Sequence, residues 1–127
     1  MRIFRKSKSK SHLNAVKRTI KFIPVAPDLK IVQTILQKAP VEVICGICNV
    51  ALNARQGDVV LSPKLKNRFR QYNHHFDRLT DVNYPIEKKR ALCIQKGGIL
   101  PIIPALVGTV LGTLGSEVFS RLFRKNE

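Results

Sequence analysis

Between Gly97 and Ser116 the chain runs without a single charge, "GGILPIIPALVGTVLGTLGS", in a sequence of which 24% of residues are charged. Any fold must take this stretch out of water, by burial, by insertion into a bilayer or by cover from a partner. Its length reaches the lower limit of a membrane span, about 20 apolar residues. Pro101, Pro104 and five glycines, however, weaken a straight helix across it. After Pro104, "ALVGTVLGTLGSEVFSRLF" reads as helix. Gly108 and Gly112 stand four apart and form a small-residue face suited to close helix contact. Further on, Glu117, Arg121 and Arg124 share one side and Val118, Leu122 and Phe123 the other, which makes an amphipathic end. Three readings stay open: a membrane-inserting segment, an ordinary core helix, or a docking and self-associating tail in which Gly97, Gly98, Pro101, Pro104, Gly108 and Gly112 are the candidate contact residues.

The rest of the chain is basic. Lys and Arg number 23 against 8 Asp and Glu, a net charge of +15 over 127 residues. A charge that large repels itself in a compact state unless a polyanion neutralises it. Nucleic acid is the first partner to consider and an anionic membrane surface the second. The charge falls in blocks. Residues 1–27 carry eight cations and no acid, residues 28–61 three of each, residues 62–96 nine against three, and residues 97–127 three against two. This patterning divides the chain into a flexible basic arm (1–27), a small helical DNA-binding core (28–96) and an apolar, amphipathic C-terminal tail (97–127).

Proline and helix-capping signals punctuate a mainly α pattern. "HLNAVKRTIKFI" places Leu13, Val16, Ile20 and Ile23 on one side before "PVAP" ends it. Asp28 is an N-cap for "LKIVQTILQK". Pro40 opens "PVEVICGICNVALNAR", a helix so apolar that it belongs at the centre of the core. Ser62 and Pro63 start "LSPKLKNRFRQYNHHFDRLTD", where Leu65, Phe69, Tyr72, Phe76 and Leu79 form a stripe at spacings of four, three, four and three. "PIEKKRALCIQK" is a short helix with Ile86, Leu92 and Cys93 inward. "DVVLS" at 58–62 is the one strand-like scrap.

Motifs for catalysis and cofactors are missing. Cys45 and Cys48 share a helix face, but a zinc site needs about four ligands, and a redox pair needs a helix N-terminus after a strand. The three cysteines read as small core hydrophobes in a reducing compartment. His74 and His75 are adjacent and point apart. No phosphate-cradling glycine loop follows Gly97-Gly98. The expectation is therefore no enzyme, no metal and no cofactor. The basic segments suit phosphate contact without base reading. The candidate phosphate-binding residues are Arg5, Lys6, Lys8, Lys10, Lys17 and Arg18 in the arm, Lys64, Lys66, Arg68 and Arg70 in the "SPKLKNRFR" helix, and Lys88, Lys89 and Arg90 in "EKKR". The competing classes are a membrane-active or membrane-anchored accessory protein acting through residues 97–127, and a scaffold for acidic protein surfaces.

The order of these features, a basic chain running into "KKRALCIQKGGILPIIPALVGTVLGTLG", resembles the small core-peptide precursor of adenoviruses, in which a DNA-condensing part precedes a glycine-pair apolar tail. "ICGICNVALNARQGDVVLSPKLKNRFRQ" followed by "KKRALCIQKGGILP" is similar to the core-protein-like reading frames of Polinton (Maverick) elements and adintoviruses. The likeness covers about residues 28–115. It implies a virion core protein that condenses packaged double-stranded DNA, in the particle and in the host nucleus or cytoplasm, with capsid protein, its own copies or membrane as partners of the tail. It carries over to Pro63, Lys64, Lys66, Arg68 and Arg70, to Lys88, Lys89 and Arg90, and to Gly97–Pro101. The processing protease of the adenovirus family prefers Met, Ile or Leu two residues before a glycine pair, a position held here by Gln95, so the resemblance does not extend to cleavage at Gly97-Gly98.

Overall fold

A computed structural model describes residues 10–57, 60–95 and 97–121, with the side chains of residues 10, 11, 13 and 113–121 outside the described set. The protein is mainly helical. In chain order come α1 (Lys10–Phe22), a 3-10 turn (Ile23–Val25), α2 (Leu29–Lys38), α3 (Val41–Arg55), α4 (Pro63–Gln71), α5 (Asn73–Leu79), α6 (Ile86–Ile94) and α7 (Ile103–Arg121). There is no β-strand among the described residues. The strand-like "DVVLS" falls partly outside them, and its described end is coil.

The centre is α3. Every residue from Glu42 to Ala51 is buried, as expected of a helix that is apolar on all sides and so must be covered on all sides. The segment 28–96 supplies too few covering elements. Helices α5 and α6 pack on α3 from within it, and α1 and α7 complete the cover from outside it. A single cluster therefore runs from Val16, Ile20 and Ile23, through α3, to Ile99, Ile102, Ile103, Leu106, Val107 and Val110.

This corrects the division into arm, core and tail. Residues 10–25 are not an arm: α1 is amphipathic and buries Val16 and Ile20. Nor do residues 97–110 form a detached module. Gly97 adopts φ +76°, a left-handed conformation that favours glycine, and the turn at 97–102 sends the chain back along α3 and the 3-10 turn. Seven buried aliphatic side chains from Ile99 to Val110, at about 1.5–3 kcal/mol each, give a gross contribution on the order of 10–20 kcal/mol. That is comparable with the whole net stability of a domain, so this segment is part of the fold. Pro104 lies in the first turn of α7, where no N–H is needed. Gly108 packs against Pro24: a Cβ there would stand 3.3 Å from the proline Cβ. Its small size serves an internal contact. Gly112 has nothing near it among the described residues. The amphipathic end, from Glu117 to Arg124, has its side chains outside the described set. Among the described residues no helix is long and apolar enough to cross a membrane.

Local chemistry sets the helix ends. The Asp28 carboxylate accepts the Ile31 N–H at 3.0 Å, and the Ser62 hydroxyl accepts the Leu65 N–H at 3.2 Å. Pro40 and Pro85 sit just before α3 and α6 as caps. Helices α2 and α6 cap each other. The Arg90 Nη1 donates to the Leu36 and Ala39 carbonyls at 2.8 and 2.7 Å, satisfying the C-terminal end of α2. Gln33 Nε2 donates to the Ile94 carbonyl at the end of α6 at 2.8 Å. Buried Glu42 lies in the first turn of α3, where the helix dipole favours an acid. His12 Nε2 stands 3.3 Å from its Oε2, an ion-pair contact without hydrogen-bond alignment.

Candidate nucleic-acid interface

The candidate interface is α4 and its setting. Ser62 caps it, Pro63 takes its first position, and Leu65 is buried. Phe69 packs on Phe76 of α5, ring centroids 4.1 Å apart. The stripe Leu65–Phe69–Tyr72–Phe76–Leu79 anchors the segment as its spacing predicts, with Leu65, Phe76 and Leu79 buried and Phe69 and Tyr72 half-buried. The single helix expected over 63–81 is broken at Tyr72, whose φ −111° and ψ 30° separate α4 from α5. The apolar periodicity continues across that break and hides it from the sequence.

With Leu65 facing the core, a helix of 3.6 residues per turn throws Lys64 and Arg68 to one flank and Lys66 and Arg70 to the other. Lys64, Lys66 and Arg70 are exposed and Arg68 half-buried. Each flank is thus a like-charged pair one turn apart, which costs an isolated helix about 0.2–0.5 kcal/mol per pair. The first turn holds two lysines and no acid, against the helix dipole by about 0.3–1 kcal/mol per cation.

The carboxylates among the described residues have other partners. Asp77 binds Arg55 at 2.6 Å and Glu87 binds Arg90 at 2.9 Å. Glu42 faces His12, while Asp28 and Asp81 accept backbone N–H groups. Among the described residues no acid pairs with Lys64, Lys66, Arg68 or Arg70. Asn67 points outward between the two flanks, and Arg78 of α5 is exposed. Arg78 is not in the phosphate set expected from the sequence.

The "EKKR" set needs correction. Lys88 is exposed, but Lys89 is 1% exposed, and it lies close enough to Cys48 to favour that thiol's ionised form. Arg90 is half-buried, with its guanidinium engaged by two carbonyls and Glu87. Neither can meet a phosphate while α6 stays packed. The signal was present in the sequence: Lys89 is three residues after Ile86 and four before Cys93, on the apolar stripe itself. Arg18 is exposed, and Lys17 is half-buried with a partner of its own. Arg5, Lys6 and Lys8, and the side chain of Lys10, lie outside the described residues. Among the described residues the remaining candidates sit on three helices: α1, α4 and α6.

Cys45, Cys48 and Cys93 form no disulfide and are buried. Burial, reinforced by the neighbouring Cys93, pushes the Cys48 thiol well up. Burial raises Cys93 to about 12 against the opposing pull of Arg90. Both thiols stay protonated at neutral pH and pack as small hydrophobes. No cluster of three or more metal-ligating side chains occurs among the described residues. His74 is exposed, and His75 is half-buried with its ring edge-on to Tyr72 at 5.6 Å. Comparison with protein-family models, with curated proteins and with solved structures finds no match to this chain.

Proposed function

We propose that this protein binds double-stranded DNA through its phosphates, without sequence preference, and condenses it as a structural component of a virus-like particle. The observation that carries the binding step is α4, a helix with four cations, no acid and no carboxylate partner among the described residues. Its charges repel one another, and Lys64 and Lys66 in its first turn oppose the helix dipole, while Arg68 and Arg70 lie in the last turn where the dipole favours them; a polyanion laid along the helix relieves the repulsion. Lys88, Arg18 and Arg78 are exposed cations on other helices of the fold. Four further basic residues lie within 1–9. Release of condensed counterions then drives binding, with affinity falling steeply as salt rises. The particle assignment rests on the resemblance of residues 28–115 to virion core proteins.

A gel shift with two unrelated duplexes of equal length, over a salt series, tests the binding step. Equal retardation of both at low salt, lost as salt rises, is expected. A tenfold preference for either duplex, about 1.4 kcal/mol, would overturn the phosphate-only reading, and absence of binding at low salt would overturn the function. Condensation is read by light scattering of long duplex DNA on adding the protein. A sharp rise near charge neutrality is expected.

A further inference from the structure

We infer that the outer face of α2 is a docking groove for an acidic amphipathic segment of another protein. Four of the six exposed large apolar side chains among the described residues fall between positions 22 and 31: Phe22 at 41%, Val25 at 72%, Leu29 at 39% and Ile31 at 37% exposed. Of these four, Ile31 also lines a groove on the outer side of α2. Helix α2 has an inward stripe, Val32 and Leu36, and a second apolar ridge, Ile31 and Ile35, one turn apart on its outer side. Beside that ridge lies an open groove of about 330 Å³ lined by Asp28, Lys30, Ile31, Thr34 and Ile35.

Charge identifies the occupant. Exposed Lys30 and Lys38 border the ridge at either end. The groove's one acid, Asp28, has an oxygen engaged by the Ile31 N–H. A second copy of the chain brings another +15 and is repelled. The terminal segments of the same chain match no better: residues 1–9 carry four cations and no acid, and residues 122–127 two cations and one acid. A partner helix with apolar residues at three- and four-residue spacing and carboxylates on its flanks satisfies both the ridge and the lysines. This site is separate from the α4 cations, so one chain can hold duplex and protein together.

The test uses the full chain and a fluorescein-labelled synthetic helix of leucine, alanine and glutamate, about five turns long, against a scrambled peptide of the same composition. Anisotropy at about 150 mM salt should show the amphipathic peptide binding roughly tenfold more tightly than the scrambled one. Ile31→Ser should remove most of that difference, and its exposed position keeps the fold intact. Lys30→Glu should weaken both peptides. Saturating duplex should leave the amphipathic peptide bound, with amide shifts centred on Ile31, Thr34 and Ile35. Equal affinity for the two peptides, displacement by duplex, or shifts centred on α4 would show charge attraction alone and overturn the proposal. Dimerisation abolished by Ile31→Ser would overturn it in favour of a second copy.

Discussion

Arg90 separates structure from ligand binding in a residue that the sequence assigns to phosphate. Its guanidinium closes the end of α2 with two charge-assisted hydrogen bonds of 2.8 and 2.7 Å from a side chain that is 15% exposed. Bonds of this kind contribute about 1.5–3 kcal/mol each. Gln37, Lys38 and Pro40 are exposed, so water reclaims part of that when the arginine is removed. Arg90→Ala is therefore expected to destabilise the protein by about 3 kcal/mol, lowering the thermal midpoint by roughly 10 °C for a chain of this size. Arg90→Lys should recover less than half, because one ammonium cannot place donors on both carbonyls and on Glu87 as Nη1 and Nε together do. Lys88→Ala, at an exposed neighbour, should change stability by no more than about 0.5 kcal/mol. The assay is thermal and urea unfolding followed by circular dichroism, paired with duplex binding under native conditions. Should Arg90→Ala unfold like the parent chain and yet bind duplex less tightly than Lys88→Ala, the capping role would be refuted and Arg90 returned to the phosphate set.

Three further outcomes follow from other parts of the fold. Gly112→Ala should stabilise the protein by about 0.5–1 kcal/mol through helix propensity alone, whereas Gly108→Val should destabilise it, because Pro24 already stands 3.3 Å from the position of a Cβ; the thermal midpoints of the pair decide whether Gly108 serves an internal contact. Ser62→Ala should cost about 1 kcal/mol by uncapping α4, read by urea unfolding. At alkaline pH the thiols work against the fold. Cys93 ionises near pH 8.5 when unfolded but near 12 when folded, so above about pH 8.5 the unfolded chain binds fewer protons and stability falls as pH rises. The loss reaches about 2 kcal/mol by pH 10, with Cys48 acting in the same direction, and Cys93→Ala should flatten the slope measured by urea unfolding between pH 8 and 10.

Much of the fold is legible because single residues carry strong local signals. Asp28 and Ser62 are short acceptors placed three residues before an orphan N–H, and both cap as read. An apolar run on every face of residues 41–55 has no stable place except the centre. What sequence did not reveal depends on non-local packing. The burial of residues 99–110 is decided by how many faces of α3 remain uncovered, a property of the assembled bundle. In the run Lys88-Lys89-Arg90 the spacing of Lys89 from Ile86 and Cys93 marks it as inward, but the engagement of Arg90 with the end of α2 depends on how the two helices pack. On α4 the charges follow a clean apolar stripe, so their exposure was readable in advance. Nothing in the string separates a cation that meets solvent from one that closes a neighbouring helix.

The most direct test of α4 as a phosphate-binding helix is the salt dependence of duplex affinity for the full chain and for a variant in which Lys64, Lys66, Arg68 and Arg70 are all glutamine. Each phosphate neutralised contributes about −0.9 to the slope of log affinity against log salt. The account predicts a slope of roughly −4 or steeper for the parent and one shallower by about 3–4 for the variant, with folding retained. An equal slope in the two proteins, or no salt dependence in either, would contradict it.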